Sequence, residues 1–278
     1  MGRAALVTGA TQGLGLALVE RFASSLGATD TVYLTGRNRG RIAEAHARLA
    51  LGGGARVEAA WLDVSLEDSV VELGEMLRER HGTLDVVISN AYSRVVPDDR
   101  ITEMIDRYVE TNNFGTTRVL RTFMPLIADG GTMLVVASTL GTLHHLPPVL
   151  HDRFDELETL DEVDRQVDRW RNAVHDGSAL PEGWPAFINI PSKVAQVSAV
   201  RALARLRRDD DVADEILLTA VCPGMIDTDA SRPWFDMSGA QTPHQAAGPL
   251  VELALRRPFE PSLYGELVRF GVALPWKP

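Results

Sequence analysis

The clearest chemical signal in the sequence lies near the amino terminus, in residues 6–15. An apolar run over residues 4–7 is followed by a turn with three glycines, and an amphipathic run begins within that turn. This order predicts a strand, a tight turn and a helix. Glycine adopts backbone angles closed to other residues and leaves the main chain open to a ligand, while a helix N-terminus attracts phosphate. The segment therefore predicts a dinucleotide site.

Further candidate residues lie where predicted buried strands end. Short apolar runs alternate with amphipathic runs in the first half of the chain, which predicts right-handed βαβ units and a parallel sheet. Ligands of such sheets bind beyond the carboxyl ends of the strands. The fold class predicted is α/β, a Rossmann-type doubly wound sheet of about seven strands. The residues expected at its ligand-binding edge are Thr8, Arg37, Asp63, Asn90, Ser138 and Pro223.

Helices must position the remaining candidates. A long helix is predicted over about 102–127 with an interruption near Pro125, and an amphipathic helix over 192–208 with Ser192 as its N-cap. Acidic residues and apolar residues at helical spacing predict a helical insertion over 143–186. No linker separates two cores, so we expect one domain over 1–278 that contains this insertion.

The composition limits the classes of partner. Of 278 residues, 45% are hydrophobic and 24% are charged, and the net charge of −10 argues against nucleic acid or an anionic membrane as a partner. Cys222 is the only cysteine, so we expect no internal disulfide and a reducing compartment. No apolar run reaches membrane-spanning length and the chain opens directly into a strand, which favours a cytoplasmic protein.

Short motifs occur along the chain in this order: Thr8-Gly9-Ala10-Thr11-Gln12-Gly13-Leu14-Gly15, Asp63-Val64, Asn90-Ala91, Thr111-Asn112-Asn113-Phe114-Gly115, Ala137-Ser138-Thr139-Leu140-Gly141, Gly183-Trp184-Pro185, Lys193 and Pro223-Gly224. The ordered set resembles the short-chain dehydrogenase/reductase family. It is most similar to the carbonyl-reductase-like branch, whose members carry a long insertion before the catalytic lysine. Each motif alone is weak, but the order is specific and the resemblance covers nearly the whole chain.

The resemblance implies NADP(H) as the cofactor. Asp63 would bind the adenine ring and Thr228 would contact the nicotinamide amide. Arg37 follows the second predicted strand, where a guanidinium suits the 2′-phosphate of NADP; the alternative is a solvated loop arginine. Related enzymes often have a second basic residue where Gln12 stands here. The implied cofactor-binding residues are Gly9, Thr11, Gln12, Gly13, Leu14, Gly15, Arg37, Asp63, Val64, Asn90, Ala91, Lys193, Pro223, Gly224 and Thr228.

The expected catalytic pair departs from the family. The family motif is Tyr-x-x-x-Lys, but Asn189 lies four residues before Lys193, and no tyrosine occurs between positions 108 and 264. An amide donates a hydrogen bond but does not release a proton at neutral pH. Ser138 is in register to bind a substrate oxygen, and Asn112 resembles the asparagine that organises a water relay to the lysine. Ser138 and Asn189 together would form an oxyanion hole.

Four residues are candidates for the substrate pocket: Tyr92, His144, Trp184 and Trp234. Tyr92 replaces the glycine that the family usually has after Asn-Ala, and it either shapes the pocket wall or supplies the missing hydroxyl. Trp184 and Trp234 either line an apolar cleft or pack the insertion onto the body. His144 is either a polar loop residue or a replacement proton donor. No recognised spacing of ligands indicates a metal.

Three functions remain open from the sequence. The first is an NADP(H)-dependent reductase of a ketone or enone in an apolar small molecule, with its proton donated by water held at Asn112 and Lys193, by Tyr92 or by a loop histidine. The second is a redox-neutral cyclase, isomerase or dehydratase with a bound dinucleotide. The third is a non-catalytic dinucleotide-binding protein. The insertion resembles those that cover the tetramer surface of shorter family members, which predicts a monomer.

Overall fold

The computed structural model describes residues 2–49, 54–97 and 99–278; the predicted domain also takes in residues 1, 50–53 and 98, which lie outside the described residues. The strands β1 to β8 are Ala4–Val7, Thr31–Gly36, Arg56–Trp61, Leu84–Ser89, Ile127–Val136, Leu217–Cys222, Leu267–Arg269 and Val272–Leu274. The helices α1 to α8 are Gly13–Ser25, Arg39–Leu49, Glu67–His81, Ile101–Val109, Gly115–Phe123, Leu160–Asp176, Asn189–Ala213 and Pro243–Ala254.

All eight strands form one sheet in the order β3-β2-β1-β4-β5-β6-β7-β8. The first seven in the chain pair in parallel, and β8 pairs antiparallel with β7. The strand order reverses between β1 and β4, which is where a doubly wound sheet opens its ligand crevice. The predicted fold class is confirmed. The additional strand is β8, which has three residues and no buried apolar run of its own.

Helices cover both faces of the sheet because its central strands are apolar throughout. One core includes buried residues of α3, α4, α5, α6 and α7, and the other includes those of α1, α2 and α8. Within the described ranges, no helix is both long and apolar enough to cross a bilayer.

The helix predicted over 102–127 is interrupted earlier than expected, before Pro125. The break is a π-helical turn, Glu110–Phe114, and it separates α4 from α5. Pro125 lies in a 3-10 turn, after which β5 already begins at Ile127. The π-turn accommodates an inserted residue without ending the helix, and it carries Asn112 and Asn113 toward α7.

The insertion is helical only in its second part. Residues 143–153 form 3-10 turns, and α6 begins later, where Thr159 and Glu162 make a reciprocal capping box. The prediction of Ser192 as an N-cap was wrong, because α7 starts at Asn189 and Ser192 is fully buried within it. The Ser192 hydroxyl instead donates to the side chain of Asn113, which in turn donates to the Ser192 carbonyl.

Candidate active site

The glycine turn packs too closely for side chains at two of its positions. A Cβ at Gly15 would lie 2.4 Å from the Gly9 carbonyl oxygen and 2.6 Å from Nδ2 of Asn90. A Cβ at Gly9, where φ is +64°, would lie 2.7 Å from the Cα of Ala91. These contacts require glycine, since real Cβ atoms do not approach backbone so closely. The turn thereby holds the start of α1 directly against the end of β4.

The N-terminus of α1 presents its main chain to a ligand. Gln12 is the N-cap residue, but its side chain makes no capping hydrogen bond, and the first turn of α1 contains no acidic residue. Leu14 is buried and anchors the helix, while the Cγ2 of Thr11 lies against Gly36 at the end of β2. The free amide groups and the positive end of the helix fit a pyrophosphate.

Polar contacts clamp the ends of β1 and β4 together. The Thr8 hydroxyl oxygen accepts from the backbone amides of Asn90 and Ala91 at 2.8 and 2.9 Å. Nδ2 of Asn90 donates to the carbonyl oxygens of Thr8 and Gly9. Asn90 is therefore a structural part of this edge, and the segment 90–92 links the glycine turn to the residues that follow.

Two residues lie where the adenosine end of a dinucleotide is expected. Arg37 is exposed just beyond β2, and its carbonyl accepts from the indole of Trp61. Asp63 follows β3, and its Oδ1 accepts from the backbone and hydroxyl of Ser65 at 3.0 and 2.6 Å. Next to it, Val64 packs at the position where a Cβ on Gly115 would fall.

The loop after β6 lies opposite the glycine turn. The methyl group of Thr228 is 3.8 Å from the position of a Cβ on Gly13, and its hydroxyl is 3.0 Å from that of Ser231. Pro223 and Gly224 begin this loop, and Gly224 has a φ of +85°. The loop thus brings Thr228 to the same crevice as the turn.

Two tyrosine hydroxyls converge on Asn189. Tyr92 donates to its Oδ1 at 2.8 Å and Tyr108 donates to the same atom at 2.5 Å. The two rings meet edge to face with centroids 6.2 Å apart. Because both bonds use Oδ1, the Nδ2 hydrogens of the amide remain for other acceptors. The two phenols thus fix the orientation of the carboxamide.

Lys193 lies within this cluster and is held by neutral oxygens. Its Nζ donates to Oε1 of Gln196 at 2.7 Å and to the carbonyl of Val136 at 3.3 Å, and it lies 5.3 Å from the centroid of the Tyr92 ring. Nε2 of Gln196 donates to the carbonyl oxygen of Asn112 at 2.8 Å. The Gln196 side chain therefore joins Lys193 to Asn112 directly, and the water relay expected from the resemblance stays a prediction.

The loop after β5 places Ser138 beside α7. Its hydroxyl oxygen accepts from the backbone of Leu140 at 3.3 Å and caps a short 3-10 turn. Gly141 ends that turn, and a Cβ there would lie 2.9 Å from the carbonyl oxygen of Lys193. Glycine at position 141 thus allows the loop that carries Ser138 to pack closely against α7 at Lys193.

Burial shifts the pKa of three groups in the cluster. Desolvation raises the pKa of Tyr92, and it raises that of the fully buried Tyr108 well above the usual phenol value. Desolvation also lowers the pKa of Lys193 to about 8. Both phenols are therefore protonated at neutral pH, whereas the lysine loses its charge much earlier than a solvated lysine would.

The four predicted pocket residues are placed differently from one another. Tyr92 is 38% exposed, and Trp234 is half-buried with its indole donating to the carbonyl of Val95 at 3.0 Å. His144 is exposed in a 3-10 turn. Trp184 is 2% exposed and packs against other aromatic rings of the insertion, so it has the packing role that the sequence had left open.

An aromatic wall stands close to Asn189. Phe187 lies two residues before it, with its ring centroid 5.4 Å from that of Trp234 and 6.4 Å from that of Phe235. Phe235 is exposed in the loop after β6.

Among the described residues, no group of three or more His, Cys, Asp or Glu side chains is arranged to hold a metal ion.

A family model described as short chain dehydrogenase matches residues 3–147. The rat protein carbonyl reductase 3 (NADPH) is 32% identical over 283 residues, which cover 99% of this chain and 98% of the relative. The chain belongs to the short-chain dehydrogenase family. Human carbonyl reductase 1 (NADPH) is 31% identical, with 95% of each chain covered.

Solved structures of the short-chain dehydrogenase fold superimpose on the chain. Salutaridine reductase from Papaver somniferum gives a TM-score of 0.80 at 21% identity, with 95% of this chain and 99% of that one covered. Menthone neomenthol reductase from Mentha piperita gives a TM-score of 0.78 at 23% identity, with 98% and 100% covered. At these identities, the likeness supports the fold.

Sequence reasoning missed three contributors to this dehydrogenase site: Tyr108, Phe187 and Gln196. Gln196 lies one helical turn after Lys193, so the two side chains share a face of α7, and a glutamine on that buried face was a usable signal. Tyr108 lies one turn before Asn112, at the end of α4. No local pattern indicated that Tyr108 would reach Asn189, because their contact spans 81 residues.

Proposed function

We propose that the protein is an NADP(H)-dependent reductase of a ketone or enone in an apolar small molecule. The observation that carries the proposal is the position of the segment 90–92. At one end Ala91 packs on Gly9 of the glycine turn, and at the other end Tyr92 contacts Asn189 and Lys193. A ligand held at the turn is therefore one short segment away from a lysine, an amide and a phenol.

The choice of NADP(H) is supported by the names of the relatives and by charge. Several curated relatives are named as NADPH carbonyl reductases. The exposed guanidinium of Arg37 stands beyond β2, where it suits a 2′-phosphate. When bound, NADPH supplies a hydride to an electrophilic carbon.

The chain's own residues bind and polarise the substrate oxygen. The Ser138 hydroxyl and Nδ2 of Asn189 are donors for an oxygen on which negative charge develops. The half-buried Lys193 ammonium adds positive charge, which is less screened there than in bulk water. The aromatic wall of Phe187, Trp234 and Phe235 favours an apolar substrate, since it offers ring surface rather than charge.

The proposal is tested by following NADPH absorbance with a panel of apolar ketones and enones. We expect NADPH consumption that is stoichiometric with the reduced product. Ser138→Ala should lower kcat, and Ser24→Ala, on the exposed face of α1, should not change it. Product that accumulates while NADPH absorbance stays constant would reject reduction.

A redox-neutral reaction is the second candidate, and the carboxamide at position 189 favours it. Donors at Ser138 and Asn189 would stabilise an enolate without any proton donor at position 189. In that case the dinucleotide would remain unchanged, and oxidised and reduced cofactor would support the same rate. This comparison of NADP⁺ with NADPH separates the two candidates.

We expect the protein to act as a monomer. The insertion helix α6 covers α4 and α5: Trp170 packs edge to face on Tyr108 at 6.5 Å, and Asp164 accepts from Thr117 at 2.9 Å. This coverage leaves less of α4 and α5 free to pair with another copy. Light scattering should give the mass of one chain, and a tetramer mass would contradict the expectation.

A further inference from the structure

Tyr92 and Tyr108 bind the same acceptor but differ in access to the cleft. Tyr108 is fully buried beneath the insertion, whereas Tyr92 is 38% exposed. A proton donor must touch the substrate oxygen and must recover its proton after each turnover. Of these two phenols, only Tyr92 has exposed side-chain surface through which a substrate and solvent can reach the cluster.

Lys193 stabilises the charge that Tyr92 would acquire. The ammonium is 5.3 Å from the centroid of the Tyr92 ring. When a phenol gives up its proton, the negative charge spreads into the ring, and a nearby cation favours that state. Lys193 is thus placed to assist Tyr92, although Tyr92 comes from the loop after β4 and not from α7.

Gln196 occupies the inner side of the cluster. Its amide joins Lys193 to the carbonyl oxygen of Asn112 and to the hydroxyl of Thr116. An amide side chain does not release a proton at neutral pH, so Gln196 is not itself a proton source. We expect the proton to be replaced from the side on which Tyr92 has exposed surface.

We infer that Tyr92 is the proton donor of the reduction, taking the part of the tyrosine that the family carries at position 189; this inference rests on the proposed function. The carbonyl carbon gains the hydride, the carbonyl π electrons move to oxygen, and that oxygen takes the proton of the Tyr92 hydroxyl. The resulting phenolate takes a proton from solvent water. Asn189 is a positioning residue, because its Oδ1 holds the hydroxyl at the cleft.

The first test compares Tyr92→Phe with Tyr108→Phe. Removing the donor should lower kcat by about 10²–10⁴-fold, while NADPH affinity and Tm stay near the wild-type values. Tyr108→Phe removes an equivalent hydrogen bond to the same atom, so it controls for loss of positioning and should lower kcat by less than tenfold. The solvent deuterium isotope effect on kcat should change in Tyr92→Phe only.

The second test moves the hydroxyl back to α7. Tyr92→Gly should be inactive, and the double variant Tyr92→Gly/Asn189→Tyr should regain NADPH consumption because a phenol again stands next to Lys193. If Tyr92→Phe or Tyr92→Gly reduces substrate at the wild-type kcat, the inference is overturned while the proposed function stands. If the wild-type protein forms product without consuming NADPH, the proposed function fails and the inference fails with it.

Discussion

The two ends of the crevice are built from different parts of the chain. At the glycine turn the surfaces offered to the proposed cofactor are main chain: the free amides at the start of α1 and the backbone of 9–15. At the other end they are side chains, contributed by the loop after β4, the end of α4, and α7. The first end requires glycine at fixed positions, and the second requires contacts among distant residues.

This difference determines how each end tolerates change. A main-chain site fails when any Cβ intrudes, but it accepts many side chains at positions such as Gln12, whose side chain makes no capping bond. A side-chain site can be rearranged as long as the functional groups remain in place. We infer that the carboxamide at position 189 is such a rearrangement, because hydroxyls from two other elements meet there.

Removal of the lysine should give the largest effect on the side-chain end. Lys193→Met deletes a half-buried cation next to the aromatic ring of Tyr92, so we expect kcat to fall by about 10²-fold or more. Lys277→Met, near the carboxyl terminus and paired with Asp155, is the matched control and should leave kcat unchanged. Steady-state NADPH consumption measures both variants.

The pH dependence of kcat sharpens the same point. Burial lowers the pKa of Lys193 to about 8, so the ammonium is present below that pH and is lost above it. We therefore expect kcat to fall as pH rises through about 8. In Lys193→Arg the cation persists, and the decline should move to higher pH. A wild-type profile that is flat between pH 7 and pH 10 would contradict this role of the charge.

A methyl group should disable the main-chain end. In Gly15→Ala the new Cβ meets three atoms at less than 3 Å, which should cost about 1–3 kcal/mol of unfolding free energy. Because the backbone of the turn must move to relieve these contacts, NADPH binding should also weaken by about 10–100-fold. Gly27→Ala is the matched control, because its Cβ would meet only Asp30 at 3.7 Å. Fluorescence titration measures NADPH binding and thermal unfolding measures stability. Normal NADPH binding by Gly15→Ala would contradict the proposal that the glycine turn binds the cofactor.

Arg37 tests whether the main-chain end also uses a side chain. Arg37→Ser removes charge-assisted hydrogen bonds to a 2′-phosphate, which should weaken NADPH binding by about tenfold or more. NADH has no such phosphate, so its affinity should stay the same. Arg48→Ser, exposed at the far end of α2, should alter neither affinity. An equal loss for both nucleotides would mean that Arg37 acts on the loop instead of the phosphate.

The hydrogen bonds between the π-turn and α7 should affect stability and not the chemical step. Ser192 and Asn113 bind each other reciprocally and join the π-turn to α7. Ser192→Ala leaves the buried Oδ1 of Asn113 without that donor, which should lower the unfolding free energy by about 1–3 kcal/mol. The exposed Ser24→Ala should change it by about 0.5 kcal/mol or less. An unchanged urea midpoint for Ser192→Ala would show that this pair of hydrogen bonds does not stabilise the fold.

The fold was predictable to the extent that it depends on local pattern. The buried runs of β1, β2, β4 and β6 are visible in the sequence because apolar patterning is short-range. The start of α7 was not, since Ser192 is a good N-cap type in isolation and only its contact with Asn113 makes it an interior residue. The π-turn likewise depends on tertiary contacts.

The candidate site was likewise predictable only where it depends on local sequence patterns. Glycine spacing indicated the turn, and the missing tyrosine before Lys193 predicted a different proton donor, which stays a prediction. The contact between Tyr92 and Asn189 spans 97 residues and has no periodic signal. The contact between Gln196 and Asn112 spans 84 residues and likewise has no local signal.

The convergence of Tyr92 and Tyr108 on Asn189 constrains how such a protein evolves. On the inference that Tyr92 supplies the proton, a change from tyrosine at position 189 and glycine at position 92 passes through a poor intermediate whichever residue mutates first. One order leaves no exposed phenol at the cluster, and the other adds a second ring next to position 189. We therefore expect the two positions to change together. Their joint signature is tyrosine directly after Asn-Ala, with asparagine four residues before the lysine, and genomes can be searched for it.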